Sequence, residues 1–230
     1  MLLDALIAAF LGAILCLDRI FVQAMIARPI VAAPAVAWVL NEPSAGLMAG
    51  AILELFWLDR TAIGAYVPPN ESLAAILVAG SASILSQQFS GQSREIFVLC
   101  FLFFLPFGIW GGKMDAIICQ WNNGLSDAAL QDASKGDMTS VSRRHLTAAL
   151  RTFLSDGIFL FVGLVAGCLL IRSVVPLMSP WLAQAIGFAY VLLPLLAIAA
   201  ALNALSNPRA IHIFCVAYLI VLLIVEWTRV

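Results

Sequence analysis

The sequence predicts an all-α polytopic membrane protein: two N-terminal re-entrant, broken-helix hairpins, then about four transmembrane helices, with a cytoplasmic helical hairpin between them. Three observations carry this. Hydrophobic residues make up 63% of the 230 and charged residues 11%, where a soluble domain would carry about a quarter; mean hydropathy is +1.03. The C-terminal half holds long apolar runs, whereas those of the N-terminal half are short and interrupted by prolines and charges. Finally, Glu54 lies inside an apolar run that gives way to Asp59-Arg60 and Pro68-Pro69 where a spanning helix should continue. An ionisable group in such a run costs several kcal/mol unless it is paired or faces a polar cavity.

From the N-terminus, MLLDALIAAFLGAILCLDR has no basic leader region and no small-residue cleavage site, so it reads as retained structure. Residues 2–17 stop at Asp18-Arg19, 29–40 contain two prolines and stop at Asn41-Glu42-Pro43, 44–58 stop at Asp59-Arg60, and 72–85 stop at Ser86-Gln87-Gln88. A single crossing needs about 20 apolar residues. Two hairpins that enter and leave by one face, over 2–40 and 44–86, fit these runs; tilted short helices with charged ends are the competing reading. Broken helices at membrane depth are where transporters build their sites.

Residues 94–112, 152–172, 181–202 and 210–228 are long enough to cross, the first with a kink at Pro106. Between them, 113–151 is polar and holds five of the twelve basic residues, Lys113, Lys135, Arg143, Arg144 and Arg151. The positive-inside bias puts this segment in the cytoplasm. Apolar positions at helical spacing and Lys135-Gly136-Asp137 as a turn predict a helical hairpin, its second helix starting near Thr139 or Ser140. Arg209 then falls inside as well. The chain divides into 1–90 (hairpins), 91–112 (crossing), 113–151 (polar hairpin) and 152–230 (crossings) within one membrane domain.

The polar residues of the N-terminal half suit an uncharged, hydroxyl-rich ligand. Asp18, Asn41, Glu54, Asn70, Gln87 and Gln88 can exchange hydrogen bonds with hydroxyls, and Trp57 and Tyr66 offer flat faces. Sites built to bond substrate hydroxyls discriminate strongly, because an analogue lacking them leaves buried groups unpaired. Asp18 has a second reading, an ion pair with Arg19 or Arg28 that closes a helix break. Trp57, Trp110 and Trp121 read as interfacial anchors. No metal site or cofactor is expected: the five cysteines are scattered and read as packing residues, and His145 beside Arg143-Arg144 reads as a solvated face. No nucleophile–base pair and no phosphate loop is present, so no catalytic residue is assigned. Net charge is −1, which gives no reason to expect nucleic acid.

The residues resemble the IIC membrane subunit of the mannose/fructose/sorbose family of the bacterial phosphotransferase system. The likeness runs through LDRIFVQAMIARPIV, GLMAGAILELFWL, AIGAYVPPNESLAAIL and PFGIWGGKMD to LSDAALQDASKGDM and the late apolar block. It implies a multi-pass protein of the inner membrane that binds a hexose, works as an oligomer with a IID membrane subunit, and passes sugar to soluble IIB, itself charged by IIA. Phosphoryl transfer would lie on IIB rather than here. It also implies two re-entrant hairpins. With the polar residues read above, the expected substrate contacts are Asp18, Arg28, Glu54, Asn70 and Gln87. The chain departs from the family at Asn70, often acidic, at Ala27, often His, and at Asp59-Arg60. A membrane scaffold or sensor of the same system, and a stand-alone small-solute transporter, are the other readings.

Overall fold

The computed structural model describes residues 1–60, 66–89, 91–204, 212–218 and 220. The described elements are helical throughout: α1 (Leu2–Cys16), α2 (Pro29–Val39), α3 (Pro43–Phe56), α4 (Glu71–Ser86), α5 (Ser93–Phe104), α6 (Phe107–Ser134), α7 (Met138–Val174) and α8 (Pro180–Ala204), with short 3₁₀ turns at Leu17–Arg19 and Val175–Leu177. Residues 212–218 are also helical. The rest of the crossing expected over 210–228, and Arg209, lie outside the described residues.

The chain is a polytopic membrane protein. Three segments are long and apolar enough to cross a bilayer, Ser93–Ser134, Met138–Leu177 and Pro180–Ala204, beside the shorter apolar helices Pro29–Val39, Pro43–Phe56 and Glu71–Ser86. Large apolar side chains stand exposed along α1 (Leu6, Phe10), α7 (Ile158, Val162) and α8 (Phe188, Leu195). Water would penalise such a surface; lipid does not.

Each N-terminal helix stops where the sequence breaks. Pro29 and Pro43 occupy the first turns of α2 and α3, where the missing N–H leaves no helical bond unmade. Asn41 turns the chain between them with φ 61°, a left-handed conformation that Asn tolerates better than most residues. The pair is antiparallel and packs backbone to backbone. A Cβ on Gly46 would stand 2.6 Å from the Ala33 carbonyl oxygen, and one on Gly50 would stand 2.5 Å from that of Pro29. The tight contact thus joins the second half of one expected hairpin to the first half of the next, while α1 packs chiefly on α7 and α4.

At the centre lies α4. Every residue from Ser72 to Leu85 is buried, and α1, α2, α3, α5, α6 and α7 all contact it. Its small residues admit close neighbours: a Cβ on Gly80 would stand 3.0 Å from Leu164 of α7. Ser81 and Ser83 turn their hydroxyls onto the Leu77 and Ala79 carbonyl oxygens of their own helix, so no side-chain donor is stranded.

Pro106 separates α5 from α6, at the expected kink. The helices then run unbroken across positions 112/113 and 151/152, so the polar hairpin continues two apolar helices. α7 has 37 residues, about 55 Å of helix against a hydrocarbon core of about 30 Å; the excess carries its polar end beyond the lipid. The turn is where the sequence put it, with Gly136 at φ 77°. The cap of α7 is Asp137, earlier than Thr139 or Ser140, because its carboxylate accepts from the Ser140 amide at 3.1 Å and hydroxyl at 2.6 Å. Arg144 and Asp132 tie the two arms together.

Two expectations follow. Gly50→Val should force α2 and α3 apart and destabilise the chain by about 1–3 kcal/mol, read as a lowered melting temperature in detergent. The Ser140 hydrogen bonds hold the Asp137 carboxyl below its ordinary range. A group with a depressed folded pKa stabilises above its unfolded value and loses that contribution as pH falls through the folded value. Hydrogen exchange at the Ser140 amide, corrected for intrinsic rate, should therefore accelerate on acidification below about pH 4, and in Asp137→Ala at neutral pH.

Candidate functional site

Three helix ends meet at the first turn of α4. Arg28, the cap residue of α2, forms an ion pair with Glu54 in the last turn of α3 and lies 3.8 Å from Glu71, the first residue of α4. The other oxygen of Glu54 accepts from the Ile30 amide at 3.4 Å, so this carboxylate sits against the positive end of α2. Both acids are largely shielded while the arginine is 44% exposed. One guanidinium thus faces two carboxylates, an arrangement with acceptors to spare and a cation within reach of open space.

Asn70 works on the neighbouring side. It is 1% exposed and bonds in several directions. Its side-chain oxygen accepts from the Leu73 amide at 3.1 Å and caps α4, its side-chain nitrogen donates to Asp115 at 2.9 Å, and its backbone amide donates to the Gly108 carbonyl at 2.7 Å. Arg19 reaches the same Asp115 oxygen at 3.1 Å. Glycines on α6 permit the approach: a Cβ on Gly111 would stand 2.9 Å from the Asn70 side chain, and one on Gly112 would stand 2.6 Å from the Pro68 carbonyl oxygen. The Arg19–Asp115–Asn70 cluster borders a cavity of about 400 Å³ between α1, α6 and α7.

Asp18 does close a helix break, but through backbone rather than through an arginine. It is 6% exposed and accepts from the amides of Ala24, Ile26 and Ala27 at 2.7, 2.7 and 3.2 Å. Gln23 and Met25 in this loop have φ of 57° and 62°. Left-handed residues turn successive amides to one side and make an anion-binding concavity, which the chain fills with its own carboxylate. Arg19 and Arg28 pair instead with Asp115 and Glu54.

Gln87 is not at this site. It follows the far end of α4, about 25 Å of helix from Asn70, and donates to the Leu40 carbonyl at 2.6 Å at the end of α2. Of the other sequence-predicted groups, Trp57 is buried with its ring against Gly108, and so is core rather than an interfacial anchor. Tyr66 borders the cavity. His145, expected on a solvated face, is exposed and also stacks on Phe21 with ring centroids 5.2 Å apart. Glu71 and Asp115 are site residues that the sequence reading missed. Glu71 directly follows Asn70, and Asp115 completes a stripe with Gly108, Gly111 and Gly112 at helical spacing.

Residues 2–227 match the family described as the sorbose-specific IIC component of the phosphotransferase system. The chain belongs to this family. It is accordingly a membrane-embedded, sugar-specific IIC subunit of that system, whose members work with other phosphotransferase components. A solved structure described as "Structure of membrane protein" shares the fold, with TM-score 0.70 and 18% identity over 98% of this chain and 92% of that one. No curated protein matches the IIC chain in sequence.

Asn70→Ala removes both the cap of α4 and a donor to Asp115. It should lower stability by about 1–2 kcal/mol, whereas Asn70→Ser, which keeps a capping oxygen, should recover part of the loss in the same detergent melting assay.

Proposed function

We propose that this chain is the sugar-translocating IIC subunit of a mannose-family, phosphoenolpyruvate-dependent system in the inner membrane. It binds a hexose with Glu54, Arg28 and Asn70, works as an oligomer with a IID subunit, and delivers the sugar inward for phosphorylation by IIB. The observation that carries this is the charge cluster at the meeting of three broken-helix ends, with Arg28 set between Glu54 and Glu71, in a chain of the IIC family. Carboxylates accept from sugar hydroxyls and a guanidinium donates to them, so a hexose can take over the bonds the ion pair now makes. Substituting hydroxyl bonds for Arg28–Glu54 would loosen α2 from α3 and α4. Binding would thereby be coupled to movement of the short helices against the long ones, as alternating access requires. Asp18 and Gln87 act at one remove, holding the backbone on which these groups sit. IIB, rather than this chain, supplies the phosphoryl group.

The test is Glu54→Ala in the chain co-expressed with its IID and IIB partners. The variant should lose hexose binding at this cluster, and with it phosphoenolpyruvate-dependent uptake, while inserting in the membrane at wild-type level. Unchanged uptake would remove Glu54 from the site. Uptake by the wild-type chain without phosphoenolpyruvate would point to a stand-alone carrier.

A further inference from the structure

The cavity on the far side of Asn70 holds groups that the site above leaves unused. Among the described residues, two buried side-chain atoms have no hydrogen-bond partner, Asp156 Oδ1 and Asn122 Oδ1, and both residues line this cavity. Asp156 is only 2% exposed, on α7 deep in an apolar segment. A buried acceptor without a donor costs about 1–3 kcal/mol, and more when charged. Two of them on residues that line one space of about 400 Å³, a size usual for small-molecule sites, point to an occupant that donates.

The lining narrows its chemistry. Thr152 already gives its proton to the Ala148 carbonyl, which leaves its oxygen as a further acceptor. Asp115 and Asp156 stand against one guanidinium, Arg19, so an anion is disfavoured. Asn122 is a neutral amide, and the stacked Phe21–His145 pair and Tyr66 form a flat, partly apolar wall. A metal ion needs several close ligands, and among the described residues no three His, Cys, Asp or Glu cluster in that way. Several acceptors beside a flat wall in a space larger than one ion fit a neutral, ring-shaped solute rich in hydroxyls.

We propose that this cavity is a second binding station for such a solute, with the Asp156 carboxylate and the Asn122 carbonyl accepting from its hydroxyls. Resting on the sugar-translocating reading, the station lies between the Arg28–Glu54 cluster and the polar hairpin. Asn70 borders the cavity and precedes Glu71 of the first cluster, so sugar released by Arg28 would next meet the Asn70–Asp115 edge and then Asp156. Arg19, tied to Asp115, would separate the two stations.

Cys119 lines the cavity and is exposed, so its alkylation reports occupancy without any need for turnover. The full chain, co-purified with its partner membrane subunit, is treated with a water-soluble maleimide, with and without D-mannose, D-fructose or L-sorbose. Modification of the Cys119 peptide is read by mass spectrometry. At least one sugar should slow labelling several-fold. Asp156→Leu should abolish the protection, Asn122→Leu should weaken it several-fold, and Asp156→Asn, which keeps an acceptor oxygen, should retain most of it. Glu54→Ala should retain protection while losing uptake. Should Asp156→Leu not be recovered folded, Asn122→Leu decides. Protection that survives Asn122→Leu and Asp156→Leu unchanged overturns the station, as does slowing by sodium or potassium chloride alone, which would indicate a cation site. Uptake by a wild-type complex whose Cys119 no sugar protects overturns the station and leaves the translocator reading standing; absence of both uptake and protection overturns both.

Discussion

The constraint on which the structure depends is that backbone groups freed by a broken helix must find partners inside the protein when no water is present to take them. Among the described residues, four polar side chains meet the helix breaks of the N-terminal half. Asp18 gathers the amides of the loop before α2, Glu54 takes an amide in the first turn of α2, Gln87 covers a carbonyl at its end, and Asn70 caps α4. Without these closures the short helices would expose unpaired N–H and C=O groups at a cost of several kcal/mol each. With them, α2, α3 and α4 can end inside the bundle and present their termini to one another.

That same economy of groups creates the site. A side chain that closes a break must stand at a helix end, where partial charges concentrate. Glu54 therefore stands both at the start of α2 and beside Arg28, and Asn70 both at the start of α4 and beside Asp115. The ion pairs are partly exposed, so each contributes modestly to stability; their value lies in position. A hydroxylated ligand that competes for Glu54 competes with a contact holding two helices together, which links occupancy to helix position without a separate coupling device.

Much of this was legible in the sequence for a physical reason. Polar residues inside apolar runs are expensive, so Asp18, Glu54, Asn70 and Gln87 had to have a purpose, and the prolines and charges around them showed where helices stop. What periodicity alone could not show was the purpose: closing the backbone and contacting a ligand call for the same side chains. Pro106 and the turn at Gly136 were equally plain, because Pro and Gly act locally. Pairing was less so. Gly46 and Gly50 face α2 across a turn, and small residues signal a close approach without naming the neighbour.

The acids that were missed show where the reading failed. Asp115 lies in a segment whose charge density suggested a solvated hairpin, yet it is two turns into a helix that starts at Phe107, on the glycine face that packs against Pro68–Asn70. Asp156 lies in an apolar run that reads as a clean crossing, though the rule that singled out Glu54 applies to it with equal force. Thr152, Asp156, Leu160, Gly163 and Gly167 are all buried on α7, at the three- and four-residue spacing of one helix face. A lone acid on a face otherwise made of small and apolar residues has no lipid-facing alternative and must look inward. Taken with Asp115 on the facing helix, it places the polar interior of this protein deeper than the N-terminal hairpins alone suggest, extending from the broken helices toward the base of the polar hairpin.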